Sequence, residues 1–172
     1  LHAGMTVLEV GCGVGWLSCQ MSHAHGCRVV GIDFNPVVVE VARRTAATMS
    51  LPVEFHVADL FAFSRSEPFD VVASLGVLHH TDDCHAAIQR CMTEFVRPGG
   101  HLYLGLYHRF GRRPFLEHFA GMRDRGVSEE ECLREFARLR GIATDDLHLR
   151  SWYRDQVVHP HETQHTLAEV LD

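Results

Sequence analysis

The chain of 172 residues contains no lysine; all sixteen of its basic residues are arginine. A Walker-type Gly-Lys-Ser/Thr loop is therefore impossible, which excludes a P-loop nucleotidase. No apolar run approaches the roughly 18 residues that a membrane helix needs. There is no internal repeat and no low-complexity tract, and 14 glycines and 6 prolines follow no period, so the chain is not collagen-like. The first residues, LHAGMTVLEVGCG, lack a basic stretch and a cleavage site, so they do not read as a signal peptide. No Cys-x-x-Cys pair occurs among Cys12, Cys19, Cys27, Cys84, Cys91 and Cys132. Those six fall in apolar stretches and read as reduced thiols of a cytoplasmic protein. Net charge is −6, which argues against nucleic acid and membrane surfaces as partners.

What is present is an ordinary globular composition, 46% hydrophobic and 22% charged, at a length that supports about one domain. Short apolar runs at 6–10, 28–32, 53–57, 69–75 and 100–107 have strand length. Several are continuous rather than alternating, as in parallel strands covered on both faces. Helical patterns lie between them. Residues 14–24 stop near Gly26. Asn35 caps a second helix with Pro36 in its first position and Val38, Val41, Ala42 and Met49 as its expected buried stripe. Residues 82–96 carry Cys84, Ile88, Cys91 and Phe95 at helical spacing, with Pro98-Gly99-Gly100 as the stop. The order predicts an α/β, doubly wound, mostly parallel sheet with right-handed crossovers. Beyond it, 114–125 and 129–140 read as helices, the second with a Ser128/Glu131 capping box. Residues 145–160 resist assignment. Thr166 and Glu169 form a further capping box.

The sharpest feature is Val7-Leu8-Glu9-Val10-Gly11-Cys12-Gly13-Val14-Gly15. A strand runs into a glycine turn and then a helix, whose free N–H groups can meet a ligand. Asp33 ends the second strand about twenty residues on, where a carboxylate accepts bonds from ribose hydroxyls. Asp59 ends the third strand, where it can accept from an adenine amino group. All three lie on the carboxyl edge, where open α/β sheets bind ligands. A dinucleotide fingerprint wants its third glycine at position 16, which is Trp16 here.

Together the segments VLEVGCGVG, VVGIDFNP, VEFHVADL, FDVVASLGVLHHTDD and FVRPGGHLYLGLY resemble the class I S-adenosylmethionine-dependent methyltransferases, in particular the small-molecule, quinone-biosynthesis-like branch. The resemblance covers about residues 5–107. It implies a Rossmann-like core that binds S-adenosyl-L-methionine and methylates an O, N or C centre of a small molecule. It implies that Glu9 helps hold the methionine moiety and that Gly11, Cys12, Gly13 and Gly15 pack against the cofactor. It places Asp33 on the ribose, Phe34 on the adenine face, Asp59 with Leu60 beside adenine, and Ser74, Leu75 and Gly76 at the transferring methyl. His79 and His80 follow the fourth strand as candidate bases, needed only for an acceptor protonated at neutral pH.

The expected division is 1–107 for the core, 108–165 as a helical insertion or cap over the site, and 166–172 as the start of a core helix. Both ends look cut, so an incomplete domain is expected. The basic cluster Arg109, Arg112 and Arg113 can clamp an anionic substrate, or lie on a solvated loop. His159, His161 and His165 have ligand-like spacing, but Pro160 and the lack of a nearby cysteine favour packing over a metal. The alternatives are an NAD(P)-type oxidoreductase, disfavoured by Trp16, and a cofactor-binding domain without turnover.

Overall fold

A computed structural model describes residues 1–171. Two compact units divide the chain, Leu1–Leu106 and Tyr107–Asp172.

In the first unit five strands form one parallel sheet: β1 (Thr6–Val10), β2 (Arg28–Asp33), β3 (Val53–Val57), β4 (Phe69–Leu75) and β5 (Val96–Gly105). Their order is β3-β2-β1-β4-β5. The chain winds outward from β1 to one side, then returns to pair β4 with β1's other edge. That reversal opens a crevice at the carboxyl ends of β1 and β4. Val7, Leu8 and Val72 are fully buried, as expected for central strands covered on both faces.

Helix α1 (Trp16–His25) ends on Gly26, whose left-handed backbone closes the last turn. Helix α2 (Pro36–Thr48) starts as its sequence predicts. The Asn35 side chain accepts from the Val37 N–H at 2.9 Å, and proline stands at N1. Its buried stripe is Val39, Ala42 and Ala46; Val41 and Met49 are exposed. The expected phase was thus partly wrong, because a valine-rich run offers apolar residues on several faces.

The single helix expected at 82–96 is two pieces, with a separate short turn before them. A 3-10 turn (Leu78–His80) precedes α3 (Cys84–Arg90), and a π-turn (Cys91–Phe95) leads directly into β5. Cys84, Ile88, Cys91 and Phe95 are all buried, so the stripe was read correctly though the helix was not. Pro98-Gly99-Gly100 lies within β5 rather than before it. Phe69 pairs with Val96 and Val71 with His101, so extra residues bulge out between them. Asp70 anchors this end of the sheet. It accepts from the Thr6 N–H at 2.7 Å and hydroxyl at 2.9 Å, and pairs with Arg97 at 2.7 Å.

The second unit is helical: α4 (Arg109–Asp124), α5 (Glu129–Arg140), α6 (Leu149–Val157) and α7 (Leu167–Leu171). Helix α4 begins five residues earlier than expected and contains Pro114. The Ser128/Glu131 capping box of α5 is formed in both directions. Helix α6 fills part of the stretch that resisted assignment, burying Leu149, Tyr153 and Val157 on one face. Phe119, Phe136 and Tyr153 form the core, with Tyr153 edge-on to both phenylalanines at 6.1 and 5.8 Å. Residues 107–109 pair with His165: the Arg109 N–H donates to the His165 carbonyl, and the His165 N–H to that of Tyr107, each at 3.0 Å. Helix α7 is tied to this unit by Arg109–Glu169 at 2.7 Å.

Candidate functional site

The glycine turn leaves β1 at Val10 and is tied to β2. The N–H groups of Gly11 and Cys12 both donate to the Ile32 carbonyl, at 2.8 and 3.0 Å. Gly15 begins α1 at φ +78°, and a Cβ there would lie 2.6 Å from Phe55 Cζ and 2.8 Å from Ala42 Cβ. No other residue lets α1 pack this closely. Gly13 differs: at φ +51° a Cβ would meet nothing within 4 Å. Its bare backbone faces open space, where a ligand can approach it.

Asp33 ends β2 beneath this turn. One carboxylate oxygen accepts from the Gly13 N–H and the other from the Asn35 N–H, each at 2.9 Å. Each oxygen retains a lone pair for another donor. Asp59, just past β3, accepts from the Phe61 N–H at 2.7 Å, an Asx turn that fixes the loop.

A cleft of about 280 Å³ brings together Gly11, Asp33, Phe34, Asp59, Leu60 and His80. Phe34 is 80% exposed: a large ring held at a polar edge. Sequence reasoning missed Phe61 and Val77, which also line this cleft. The Asp59-x-Phe61 turn was a readable signal for Phe61. Val77 packs over Gly11, where a Cβ would come within 2.4 Å of Val77 Cγ2; that contact spans two strand ends and leaves no local trace.

Glu9, Cys12, Gly13, Gly15, Ser74, Leu75 and Gly76 do not line this cleft. Glu9 is buried on β1 and accepts from the Ser18 hydroxyl of α1. Burial pushes its carboxyl up to about 7, against the opposing pull of Ser18. Burial likewise pushes the Cys12 thiol up to about 12. Ser74 is fully buried and donates to the Val10 carbonyl at 3.1 Å, holding β4 to the end of β1. Leu75 is partly exposed, and the Gly76 N–H donates to the Gly105 carbonyl at 2.9 Å. His79 is fully buried with its ring 4.2 Å from that of His80.

The arginine cluster belongs to the second unit and is engaged there. Arg109 pairs with Glu169, Arg113 with Glu117 at 2.6 Å, and the buried Arg112 with Glu162 at 2.6 Å. Among the described residues no group of three or more His, Cys, Asp or Glu is placed to hold a metal ion.

A family profile described as "Methyltransferase domain" matches residues 7–100. A ubiquinone biosynthesis O-methyltransferase of Ralstonia nicotianae is 32% identical over 148 residues, covering 82% of this chain and 61% of that protein. Phosphoethanolamine N-methyltransferase 1 of Triticum aestivum is 35% identical over 127 residues, covering 73% of this chain and 25% of that protein. The crystal structure of the N-methyltransferase NodS from Bradyrhizobium japonicum, in complex with S-adenosyl-L-homocysteine, matches with a TM-score of 0.57 at 26% identity, covering 66% of this chain and 58% of that one. This chain thus spans less than two thirds of each relative's length. The profile covers more than half of the chain and contains the glycine turn, Asp33 and Asp59, and on that ground the chain belongs to the methyltransferase domain family.

Proposed function

We propose that this chain binds S-adenosyl-L-methionine along the carboxyl edge of its sheet and methylates a small-molecule acceptor. The observation that carries this reading is the convergence of Gly11 of the glycine turn, Asp33 and Asp59 on one cleft. The residues fit such a ligand. Asp33, already oriented by two backbone N–H groups, offers its remaining lone pairs to the ribose hydroxyls. Asp59 accepts from the adenine amino group, with Leu60 beside the base and Phe34 against its face. Open space at Gly13 and Gly76 leaves the backbone bare toward the methionine portion, with Glu9 beneath it and Ser74 and Leu75 at the methyl end.

When bound, the cofactor supplies an electrophilic sulfonium methyl group. The chain's own task is to align an acceptor with it and exclude water. His80 lines the cleft, and in this reading it takes the proton from an acceptor hydroxyl or ammonium. His79, fully buried beside it, positions that ring. An O or N acceptor is supported by the relatives' names, an O-methyltransferase and an N-methyltransferase. Six buried cysteines support a reducing, cytoplasmic setting. Among the described residues no helix is long and apolar enough to cross a membrane.

S-adenosylhomocysteine at a hundred times its Kd is expected to stabilise the protein by about 2.7 kcal/mol, a rise of several degrees in Tm. NAD is expected to leave Tm unchanged. A rise with NAD and none with S-adenosylhomocysteine would reverse the assignment in favour of an oxidoreductase.

A further inference from the structure

The part of the cleft that carries Asp59 is a short turn, 58–63, between β3 and β4. Its internal bonds close it locally. The Phe61 N–H donates to the Asp59 carboxylate at 2.7 Å, and the Ala62 and Phe63 N–H groups donate to the Asp59 carbonyl at 3.1 and 2.8 Å. Those bonds fix the turn's shape but not its place. Two hydrogen-bonding groups outside it do that. At its start the Ala58 N–H donates to the Asp33 carbonyl at 2.9 Å. Further along, Arg90 Nε donates to the Leu60 carbonyl at 3.0 Å and Arg90 Nη2 to the Phe63 carbonyl at 2.9 Å. The remaining guanidinium nitrogen pairs with Glu94 at 2.9 Å. The guanidinium carbon lies 5.6 Å from the centroid of the buried Phe95 ring, which is in turn 5.7 Å from that of Phe63. The Arg90 side chain is 23% exposed and does not line the cleft.

Arg90 is the last residue of α3. The segment that leads into α3 supplies another part of the lining, including Leu78, His80 and Asp82. One short helix therefore joins two parts of the cleft.

We propose that Arg90 is a positioning residue for base recognition, riveting the 58–63 turn to α3 so that Asp59 keeps a fixed place in the cleft. This rests on the cofactor reading above, in which Asp59 meets the adenine amino group. A guanidinium suits the task, because its planar fork reaches two carbonyls at once, whereas an ammonium is a point donor on a flexible stem. A carboxylate held in place accepts from the 6-amino group of adenine and repels the 6-oxo group of hypoxanthine. Released, it turns away from the oxo group, and the repulsion that gives specificity is lost.

The test is calorimetry with S-adenosylhomocysteine and its hypoxanthine counterpart, S-inosylhomocysteine, paired with hydrogen exchange on the ligand-free proteins. Wild type is expected to prefer the adenine compound by about tenfold or more, the worth of one hydrogen bond to a charged acceptor. Arg90→Ala is expected to bind the adenine compound about tenfold more weakly, with its preference falling toward unity. Arg90→Lys keeps the charge and the stem but not the fork, and falls between. Glu94→Gln keeps both carbonyl bonds and is expected to keep the wild-type preference. In the exchange measurement the Ala62 and Phe63 amides of Arg90→Ala are expected to lose about tenfold in protection while those of β1 do not change. Should Arg90→Ala fail to fold, Arg90→Lys decides by the same ratio. A role in stability alone would leave the preference intact in both Arg90 variants; that result, or unchanged protection at Ala62 and Phe63, would overturn the proposal. Equal affinity of wild type for the two compounds would overturn the Asp59 contact and this role with it. Absence of binding by either compound would instead overturn the cofactor reading itself.

Discussion

Replacing Arg112 with alanine is expected to destabilise the second unit by about 3–5 kcal/mol, the usual cost of orphaning one partner of a buried ion pair. Both side chains are almost wholly buried, Arg112 at 9% exposure and Glu162 at 7%. The guanidinium grips Glu162 with two bonds, at 2.9 and 2.6 Å, and also donates to the Gln156 carbonyl at 2.5 Å. It lies 4.1 Å from the Tyr107 ring centroid, and the Tyr107 hydroxyl accepts from the Gln156 amide at 2.7 Å. One side chain therefore joins the first turn of α4, the end of α6 and the segment leading to α7. Arg112→Ala leaves the buried Glu162 carboxylate without its countercharge, with the Gln164 amide at 3.2 Å as its remaining side-chain donor, and takes a donor from the Gln156 carbonyl. The paired change Arg112→Met with Glu162→Leu removes both charges and is expected to recover much of the loss, since two apolar groups need no donors. Hydrogen exchange at the amides of α5 and α6 reads the effect directly. If protection there is unchanged in Arg112→Ala, this network is not what holds the unit together.

Asp33→Ala is expected to weaken S-adenosylhomocysteine binding by at least about 1.5 kcal/mol, the loss typical of a charged hydrogen-bond acceptor. The structure makes even Asp33→Asn a damaging change. Both carboxylate oxygens accept from backbone N–H groups, of Gly13 and of Asn35. Either orientation of an asparagine amide turns its NH2 toward one of those donors. The variant therefore loosens the glycine turn as well as the ribose contact. Calorimetry on the three proteins separates the cases. Equal affinity in all three would remove Asp33 from the site. A loss in Asp33→Ala with none in Asp33→Asn would show that charge and turn geometry contribute nothing.

What could be read from the sequence was local. Asn35 with Pro36, Ser128 with Glu131, and Gly26 after an apolar stripe are capping signals whose partners lie within four residues, and the helices begin or end where these residues stand. The cleft was equally legible in outline, because a glycine turn and two acids at successive strand ends need only the parallel topology to be brought together. What escaped depends on distant parts of the chain. Pro98-Gly99-Gly100 reads as a stop until β4 supplies the register, and at Gly100 a Cβ would lie 2.8 Å from the Asp70 carbonyl. The arginine cluster reads equally as an anion clamp or a solvated loop, and neither reading anticipates that Glu162, fifty residues on, takes Arg112. Helix α6 was a different case. Leu149, Tyr153 and Val157 stand at spacings of four, a stripe that the surrounding polar and aromatic residues concealed.

A crystal structure of this protein with S-adenosylhomocysteine tests the central claim most directly. The expected result is the adenosine in the cleft at the ends of β1, β2 and β3, with both ribose hydroxyls on the Asp33 carboxylate, the adenine amino group on Asp59, and the amino acid tail over Gly13 toward Glu9. Ligand bound on another face, or a ribose that leaves Asp33 untouched, would contradict it.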